Sequence, residues 1–139
     1  MTQTYQLKQS QLHTLVENFL QNFDGGVVIL QGDLASGKTT LTKAFVQHLK
    51  QESCEVTSPT FSLQQVYGNN LYHYDLYNKG LEHFMALGML EELEKDGYHF
   101  VEWGDEDLKE FLLKAAIPVA TITIKKLADN KREYNLCIH

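Results

Sequence analysis

The sequence predicts an α/β fold with a mixed, mostly parallel central sheet and antiparallel hairpin additions. The first observation is a short, continuous apolar run at residues 27–30, VVIL, which is rich in β-branched residues and typical of a strand buried on both faces of a sheet. The second is the segment after a glycine-containing loop, in which Leu41, Phe45 and Leu49 recur at helical spacing. A buried strand, a loop and an amphipathic helix therefore follow one another.

The other predicted elements extend this pattern along the chain. Ser10 is a suitable N-cap for an amphipathic helix at residues 11–21. Pro59 ends a short strand around Val56 because proline cannot donate to a sheet. The further predictions are helix 38–50, a hairpin of 61–67 and 71–77, short helices between 81 and 93, strand 98–101, helix 105–114, strand 120–127 and a last hairpin turning at 129–131. No repeat or linker-like composition interrupts this order, which predicts one domain over residues 1–139.

Composition and charge exclude several classes of protein. The chain has 139 residues, 43% of them hydrophobic, which is enough for a packed core without disulfides or a structural metal. Cys54 and Cys137 lie far apart in sequence, with no paired spacing, which favours a reducing cytosol. The net charge of −6 argues against direct binding of tRNA or DNA. No apolar run resembles a signal peptide or a membrane span, so we expect a cytoplasmic protein without a membrane partner.

The strongest motif is GDLASGKT at residues 32–39, which satisfies GxxxxGK[ST] between the predicted strand and the predicted helix. In such a loop, backbone N–H groups and the helix N-terminus face phosphates, Lys38 reaches the β and γ groups, and Thr39 places its hydroxyl on Mg²⁺. The alternative, a chance glycine loop, is disfavoured by the flanking elements. We therefore expect a purine nucleoside triphosphate and Mg²⁺ to bind here. The residues predicted to bind the nucleotide are Gly32, Asp33, Leu34, Ala35, Ser36, Gly37, Lys38, Thr39 and Thr40.

Polar residues that follow other predicted strands are candidates for the same site. Glu102 ends an apolar strand and could bind Mg²⁺ through water or orient the attacking water, although strand-ending carboxylates are also common without a function. Asp75 is a weaker candidate for the same kind of role, because aspartates at strand ends often make turns. The hydroxyls of Thr57, Ser58 and Thr60 suit a switch segment or, equally, a capped turn.

Aromatic and imidazole side chains give weaker indications. Trp103 directly follows Glu102 and is expected near the site, with its role open between packing and contact. The histidines show no metal-binding spacing, so His73, His83 and His99 are expected to be surface or packing residues without a functional role.

Taken together, GDLASGKTTL, VTSPTFSL, YHYDLY and FVEWGDE, in this order, resemble the bacterial TsaE family, the small ATPases of tRNA threonylcarbamoyladenosine synthesis. The similarity spans roughly residues 27 to 107. The resemblance implies a P-loop NTPase-like three-layer sandwich and ATP hydrolysis that is weak in the isolated protein. It also implies a TsaD–TsaB-like partner complex that transfers threonylcarbamoyl to N6 of adenosine 37 in ANN-decoding tRNAs, so that tRNA is contacted only indirectly.

The resemblance also implies roles for single residues. Lys38 and Thr39 would hold phosphates and Mg²⁺, Thr60 would belong to a switch-like loop, and a catalytic or functional group would include Asp75, Glu102 and Trp103 with Lys38. Two positions depart from the family pattern. The family usually reads GDLGAGKTT, so Ala35 replaces a glycine and would alter the loop if a positive φ is needed there. The arginine common after DLY is Asn78.

The scarcity of arginine bears on mechanism. Arg132 is the only arginine, and it lies in the predicted last hairpin, beyond the nucleotide-binding motifs. Because phosphoryl transfer commonly uses an arginine worth about 10³ to 10⁵ in rate, we hypothesise that a partner supplies the missing catalytic group.

Three alternatives remain at this stage. A small-molecule kinase shares the loop but normally closes an arginine-bearing lid. A GTPase switch is suggested superficially by NKRE at residues 130–133, which ends in Glu rather than Asp. In a third alternative, nucleotide orders the loop at 57–61 and controls docking without hydrolysis.

Overall fold

The computed structural model of the chain describes residues 2–33, 35–50, 64–68, 70–77 and 81–139. Within these ranges, short 3-10 turns lie at Gln9–Gln11 and Glu92–Glu94. The strands are β1 (Thr2–Lys8), β2 (Gly26–Gln31), β3 (Gln64–Tyr67), β4 (Leu71–Asp75), β5 (Tyr98–Glu102), β6 (Val119–Lys126) and β7 (Lys131–Ile138). The helices are α1 (Leu12–Asn22), α2 (Lys38–Lys50), α3 (Leu81–Ala86) and α4 (Glu106–Lys114). No helix in these ranges is both long and apolar enough to cross a bilayer.

The strands form one sheet in the order β1-β7-β6-β2-β5-β4-β3. Its centre is parallel, because β2 pairs in parallel with both β5 and β6, and β4 pairs in parallel with β5. The edges are antiparallel, with β3 on β4, β7 on β6, and β1 on β7. The predicted α/β fold, with a parallel centre and antiparallel additions, is confirmed.

Strand β2 separates two layers of apolar side chains. Val28 and Leu30 face a cluster with α1 and α2, in which Phe19 and Phe45 are fully buried. Val27 and Ile29 face a second cluster on the opposite side of the sheet, with Leu108 and Leu112 of α4. Burial on both faces explains why this strand is a continuous apolar run rather than an alternating one.

The N-terminal strand β1 was not predicted, because its sequence TQTYQLK is mostly polar. Its side chains alternate between exposed and half-buried, and it lies at the sheet edge against β7, in register Tyr5 with Tyr134. The pairing depends on a partner more than 100 residues away in sequence, as with Thr4 Oγ1, which donates to Asn135 Oδ1 at 2.8 Å. The predicted strand around Val56 lies outside the described residues.

Two alanines adopt the left-handed backbone conformation that favours glycine. Ala35 has φ of +59° in the loop between β2 and α2, and Ala116 has φ of +59° just after α4. The Cβ of an L-residue in this region costs about 1–2 kcal/mol through its contact with the following carbonyl. Position 35 is therefore one of the sites where a positive φ is required, and the alanine there is strained.

Replacing either strained alanine with glycine is expected to stabilise the fold. Ala35→Gly and Ala116→Gly should each raise the free energy of unfolding by up to about 1 kcal/mol, since relief of strain exceeds the extra unfolded-state entropy of glycine. Ala44→Gly, inside helix α2, should instead lower the free energy of unfolding by about 0.5–1 kcal/mol. Urea denaturation of the three variants measures these changes, and equal destabilisation by all three would contradict the argument.

Candidate functional site

A cavity of about 420 Å³ opens where the parallel strands end and α2 begins. The carboxyl ends of parallel strands meet at one edge of a sheet, which is where open α/β folds bind ligands. This cavity is lined by residues 35–40 at the start of α2, by the ends of β4 and β5 with residues that follow them, and by the start of β7. Its lining residues are Ala35, Ser36, Gly37, Lys38, Thr39, Thr40, Asp75, Tyr77, Glu102, Trp103 and Arg132.

Lys38, at the first position of α2, directs its ammonium into the loop that precedes it. Its Nζ donates to the carbonyls of Gly32 at 2.7 Å and Asp33 at 2.9 Å, and to Ser36 Oγ at 3.4 Å. The side chain is nearly buried, and this burial lowers the pKa of Lys38, while the negative charges of Glu102, Asp33 and Asp75 act in the opposite direction. Further negative charge in the cavity would favour the ammonium form, which suits the binding of an anion.

Glu102 connects three elements through one carboxylate oxygen. Its Oε2 accepts a hydrogen bond from Thr39 Oγ1 at 2.9 Å and also contacts Nε2 of His73. Glu102 is 4% exposed and His73 is fully buried, so both polar groups depend on these contacts. The Nδ1 atom of His73 is buried and has no hydrogen-bond partner within the described ranges, so the Glu102 contact is the one that orients this ring.

Trp103 takes a strained conformation beside this group. Its φ is +66°, rare for a bulky residue, and its N–H donates to the carbonyl of Leu30 at 3.1 Å. In this position its ring lies 3.9 Å from Lys38 Nζ, a cation–π contact, and 4.9 Å from the Tyr77 ring. Strained residues of this kind cluster where ligands bind, and here the strain brings an indole to the ammonium of the loop.

Asp75 makes the turn that its place at a strand end allowed, and it also lines the cavity. Its Oδ1 accepts a hydrogen bond from the N–H of Tyr77 at 2.9 Å, which forms the turn expected at a strand end. It also lies in register with Glu102 across the β4–β5 pair and lines the same cavity. A second carboxylate therefore stands beside the first at the same edge.

Arg132 lies at the cavity, and not away from it as its place in the last hairpin suggested. Its side chain contacts Gly37, where an added Cβ would stand 3.3 Å from Arg132 Nε and 3.4 Å from its Cδ. The Nε atom is buried without a hydrogen-bond partner in the described part of the chain. Strand β7 lies on one side of β2 and strands β5 and β4 on the other, so Arg132 and Glu102 reach the cavity from opposite sides.

The structure brings together most of the residues predicted for the site. Residues 35–40 with Asp75, Glu102 and Trp103 share the cavity, while Gly32 and Asp33 contribute carbonyls to Lys38. Leu34, Thr57, Ser58 and Thr60 lie outside the described residues.

His73 and Arg132 lie at the site although neither was predicted there. A signal for His73 was available, because alternate residues of a strand share a face and His73 precedes Asp75 by two positions. For Arg132 there was none, because its position follows from the strand order.

The residues present fit a nucleotide with Mg²⁺. At Gly32 an added Cβ would lie 2.6 Å from Ser36 Oγ and 2.7 Å from the Ile124 carbonyl, so the close loop backbone requires glycine there. In the described ranges no group of three or more histidine, cysteine or acidic residues could bind a metal. Mg²⁺ usually takes one or two protein oxygens, substrate phosphates and water, and the Thr39 hydroxyl and the Glu102 carboxylate offer such oxygens.

The sequence of this chain is similar to those of known proteins. The family model described as threonylcarbamoyl adenosine biosynthesis protein TsaE matches residues 5–134. The chain is similar to the tRNA threonylcarbamoyladenosine biosynthesis protein TsaE of Treponema pallidum, with 39% identity over 125 residues that cover 86% of each chain. Its similarity to the Bacillus subtilis protein of that name is 36% over 115 residues, covering 78% of this chain and 67% of the relative.

A solved structure agrees with these matches. The crystal structure of Bacillus subtilis YdiB is similar to this fold with a TM-score of 0.70 and 27% sequence identity, and the match covers 99% of this chain and 86% of that one. The family model spans nearly the whole chain, and the relatives exceed 30% identity over most of their length. This chain belongs to the TsaE family.

Proposed function

We propose that this chain binds ATP with Mg²⁺ in the cavity beside residues 35–40 and hydrolyses it weakly when alone. Together with a TsaD–TsaB-like complex it would support threonylcarbamoyl transfer to N6 of adenosine 37 in ANN-decoding tRNAs. The observation that carries the proposal is the Thr39–Glu102 hydrogen bond of 2.9 Å beside Lys38 at the start of α2, in a chain of the TsaE family.

We assign separate roles in phosphate binding and in hydrolysis to these side chains. Bound Mg²⁺–ATP supplies the reactive γ-phosphoryl group and a cation that offsets its charge. Lys38 and the N–H groups at the start of α2 would bind the phosphates. The Thr39 hydroxyl has one donor hydrogen and two lone pairs, so it can donate to Glu102 and coordinate a cation at the same time. Glu102 would orient water through its carboxylate, and His73 would act as a positioning residue for Glu102.

The places of the charged residues that the structure describes support weak hydrolysis by the isolated chain. The carboxylates Asp75 and Glu102 are on the β4–β5 side of the cavity, whereas the only arginine, Arg132, is on the β7 side against Gly37. An arginine on the γ-phosphate side is commonly worth about 10³ to 10⁵ in rate. We therefore propose that the partner complex supplies a catalytic group on the β4–β5 side.

Tryptophan fluorescence is expected to report ATP binding. Trp103 is the only tryptophan and contacts Lys38, so binding at the phosphates should change its emission. Lys38→Ala should weaken Mg²⁺–ATP binding about 10- to 100-fold, through loss of a charged hydrogen-bond donor. Lys114→Ala, at the exposed end of α4, is the matched control and should bind normally.

Titrations with ATP and GTP, each with and without Mg²⁺, complete this measurement. Mg²⁺-dependent binding that prefers ATP and is lost in Lys38→Ala supports the proposal. A preference for GTP would support a GTPase switch instead, and an absence of binding by any nucleotide would refute the proposed site.

Variants of Glu102 and His73 are expected to separate binding from hydrolysis. Glu102→Gln should lower partner-stimulated hydrolysis about 10²- to 10⁴-fold, because the water-orienting carboxylate is lost. His73→Phe should lower kcat while the Kd for ATP stays unchanged, and His73→Gln, which retains an N–H donor, should restore part of the rate. Single-turnover hydrolysis and fluorescence titration measure the two quantities.

The same variants test whether hydrolysis matters for tRNA modification. If Glu102→Gln still docks on the partner complex but modification stops, hydrolysis is required. If docking and modification both continue at the normal rate in Glu102→Gln, nucleotide binding alone is sufficient and the enzymatic proposal is wrong.

A further inference from the structure

The chain turns directly after β5, and this turn carries Trp103. The N–H of Trp103 donates to the carbonyl of Leu30 at 3.1 Å, so the turn begins against the end of β2. The next residue, Gly104, is packed closely onto the same strand, because an added Cβ would stand 2.8 Å from Cγ2 of Ile29 and 3.2 Å from Cδ2 of Leu108. Both residues of the turn therefore lie against β2, and their conformation depends on the groups that β2 presents there.

Gln31, the last residue of β2, binds this turn through its side-chain amide. Its Nε2 donates to the carbonyl of Gly104 at 3.2 Å, and its Oε1 accepts a hydrogen bond from Thr123 Oγ1 at 3.4 Å. Gln31 and Thr123 are partners in the parallel register of β2 with β6, which explains why they meet. A carbonyl can only accept, so the amide can satisfy Gly104 only through Nε2, which leaves Oε1 for the hydroxyl. The two partners therefore fix the orientation of the amide.

The backbone of Trp103 needs such support. Its φ of +66° is rare for a bulky residue, and a conformation of this kind persists only where the surrounding contacts over-determine it. Relaxation to a negative φ would change the direction of the side chain and move the indole away from Lys38 Nζ, from which it now lies 3.9 Å. A hydrogen bond to the carbonyl of Gly104 favours the strained conformation over the relaxed one, and with it the cation–π contact.

We propose that Gln31 is a positioning residue for Trp103, whose indole it keeps beside the ammonium that binds phosphate. The consequence for the ligand rests on the proposed function. Gln31 is not among the described residues that line the cavity beside Lys38, so its effect on a bound nucleotide passes through the turn. The indole favours the charged form of Lys38, which is the form that binds an anion.

Tryptophan fluorescence tests the position of the indole without any nucleotide. Trp103 is the only tryptophan, so its emission reports this turn alone. Gln31→Met removes the amide but keeps a side chain of similar length, and Gln31→Ala also shortens it. Both should raise the constant for acrylamide quenching by about twofold, because one lost hydrogen bond shifts the population toward the relaxed turn. Gln6→Met is the matched control, since it removes one glutamine hydrogen bond, to Glu133, on β1, and it should leave the quenching unchanged.

Calorimetry with Mg²⁺–ATP on the full chain measures the effect on binding. Gln31→Met should weaken binding about two- to tenfold, the range expected for loss of one hydrogen bond. The single-turnover rate at saturating ATP should change by less than about twofold, because Glu102 keeps its contacts with Thr39 and His73. In a Trp103→Ala background, Gln31→Met should have no further effect on the affinity for ATP, since the residue through which it acts is gone.

The outcomes separate this inference from the proposed function. Unchanged quenching in Gln31→Met would overturn the inference, and so would an effect of Gln31→Ala alone, since packing of the side chain and not its N–H would then support the turn. An equal loss of ATP affinity in the Trp103→Ala background, or a fall in rate at unchanged affinity, would show that Gln31 does not act through Trp103. If quenching rises in both variants but the wild-type chain binds no nucleotide, Gln31 does position Trp103 and the proposed function is refuted.

Discussion

One carboxylate oxygen determines how the site is assembled. Glu102 Oε2 contacts Thr39 of α2 and His73 of β4 while Glu102 itself ends β5, so three elements meet at a single buried acceptor. A buried carboxylate is costly unless it is paired, which makes the relative positions of these elements interdependent. The parallel register of β4 with β5 and of β5 with β2 provides that alignment. Lys38 precedes Thr39 in α2 and Trp103 follows Glu102 in sequence, so both lie beside this shared contact.

Sequence reasoning succeeded where the determinants of structure are local. The apolar run of β2 and the helical spacing of α1 and α2 follow from which faces of these elements are buried. The spacing of apolar residues therefore predicts these elements. It failed for β1, whose side chains are at most half-buried and whose pairing with β7 joins the two ends of the chain. An edge strand of this kind has too weak a pattern to be distinguished from a polar terminus.

The site shows the same division between local and long-range information. Lys38 and Thr39 belong to a contiguous motif, and Glu102 could be identified because it ends an apolar strand. His73 was expected to be a surface or packing residue because the histidines show no metal-binding spacing, and its contact with Glu102 joins residues 29 positions apart. Arg132 was expected away from the site because it follows the nucleotide-binding motifs in sequence. Distance in sequence does not predict which strand lies near β2 in the sheet. The order of strands, which no local pattern specifies, supplies the missing information.

The strand order also places acidic side chains and the arginine on opposite sides of one cavity. Asp75, Glu102 and the buried His73 lie on the β4–β5 side, whereas Arg132 lies on the β7 side. Among the described residues, a nucleotide with its phosphates beside Lys38 would therefore meet Asp75 and Glu102 on the β4–β5 side and Arg132 on the β7 side. Under the proposed function, such a site would favour nucleotide binding over turnover, since only groups that stabilise the transition state accelerate the chemical step. A slowly hydrolysed nucleotide would persist until the partner docks, and the rate of hydrolysis would then depend on the assembled complex.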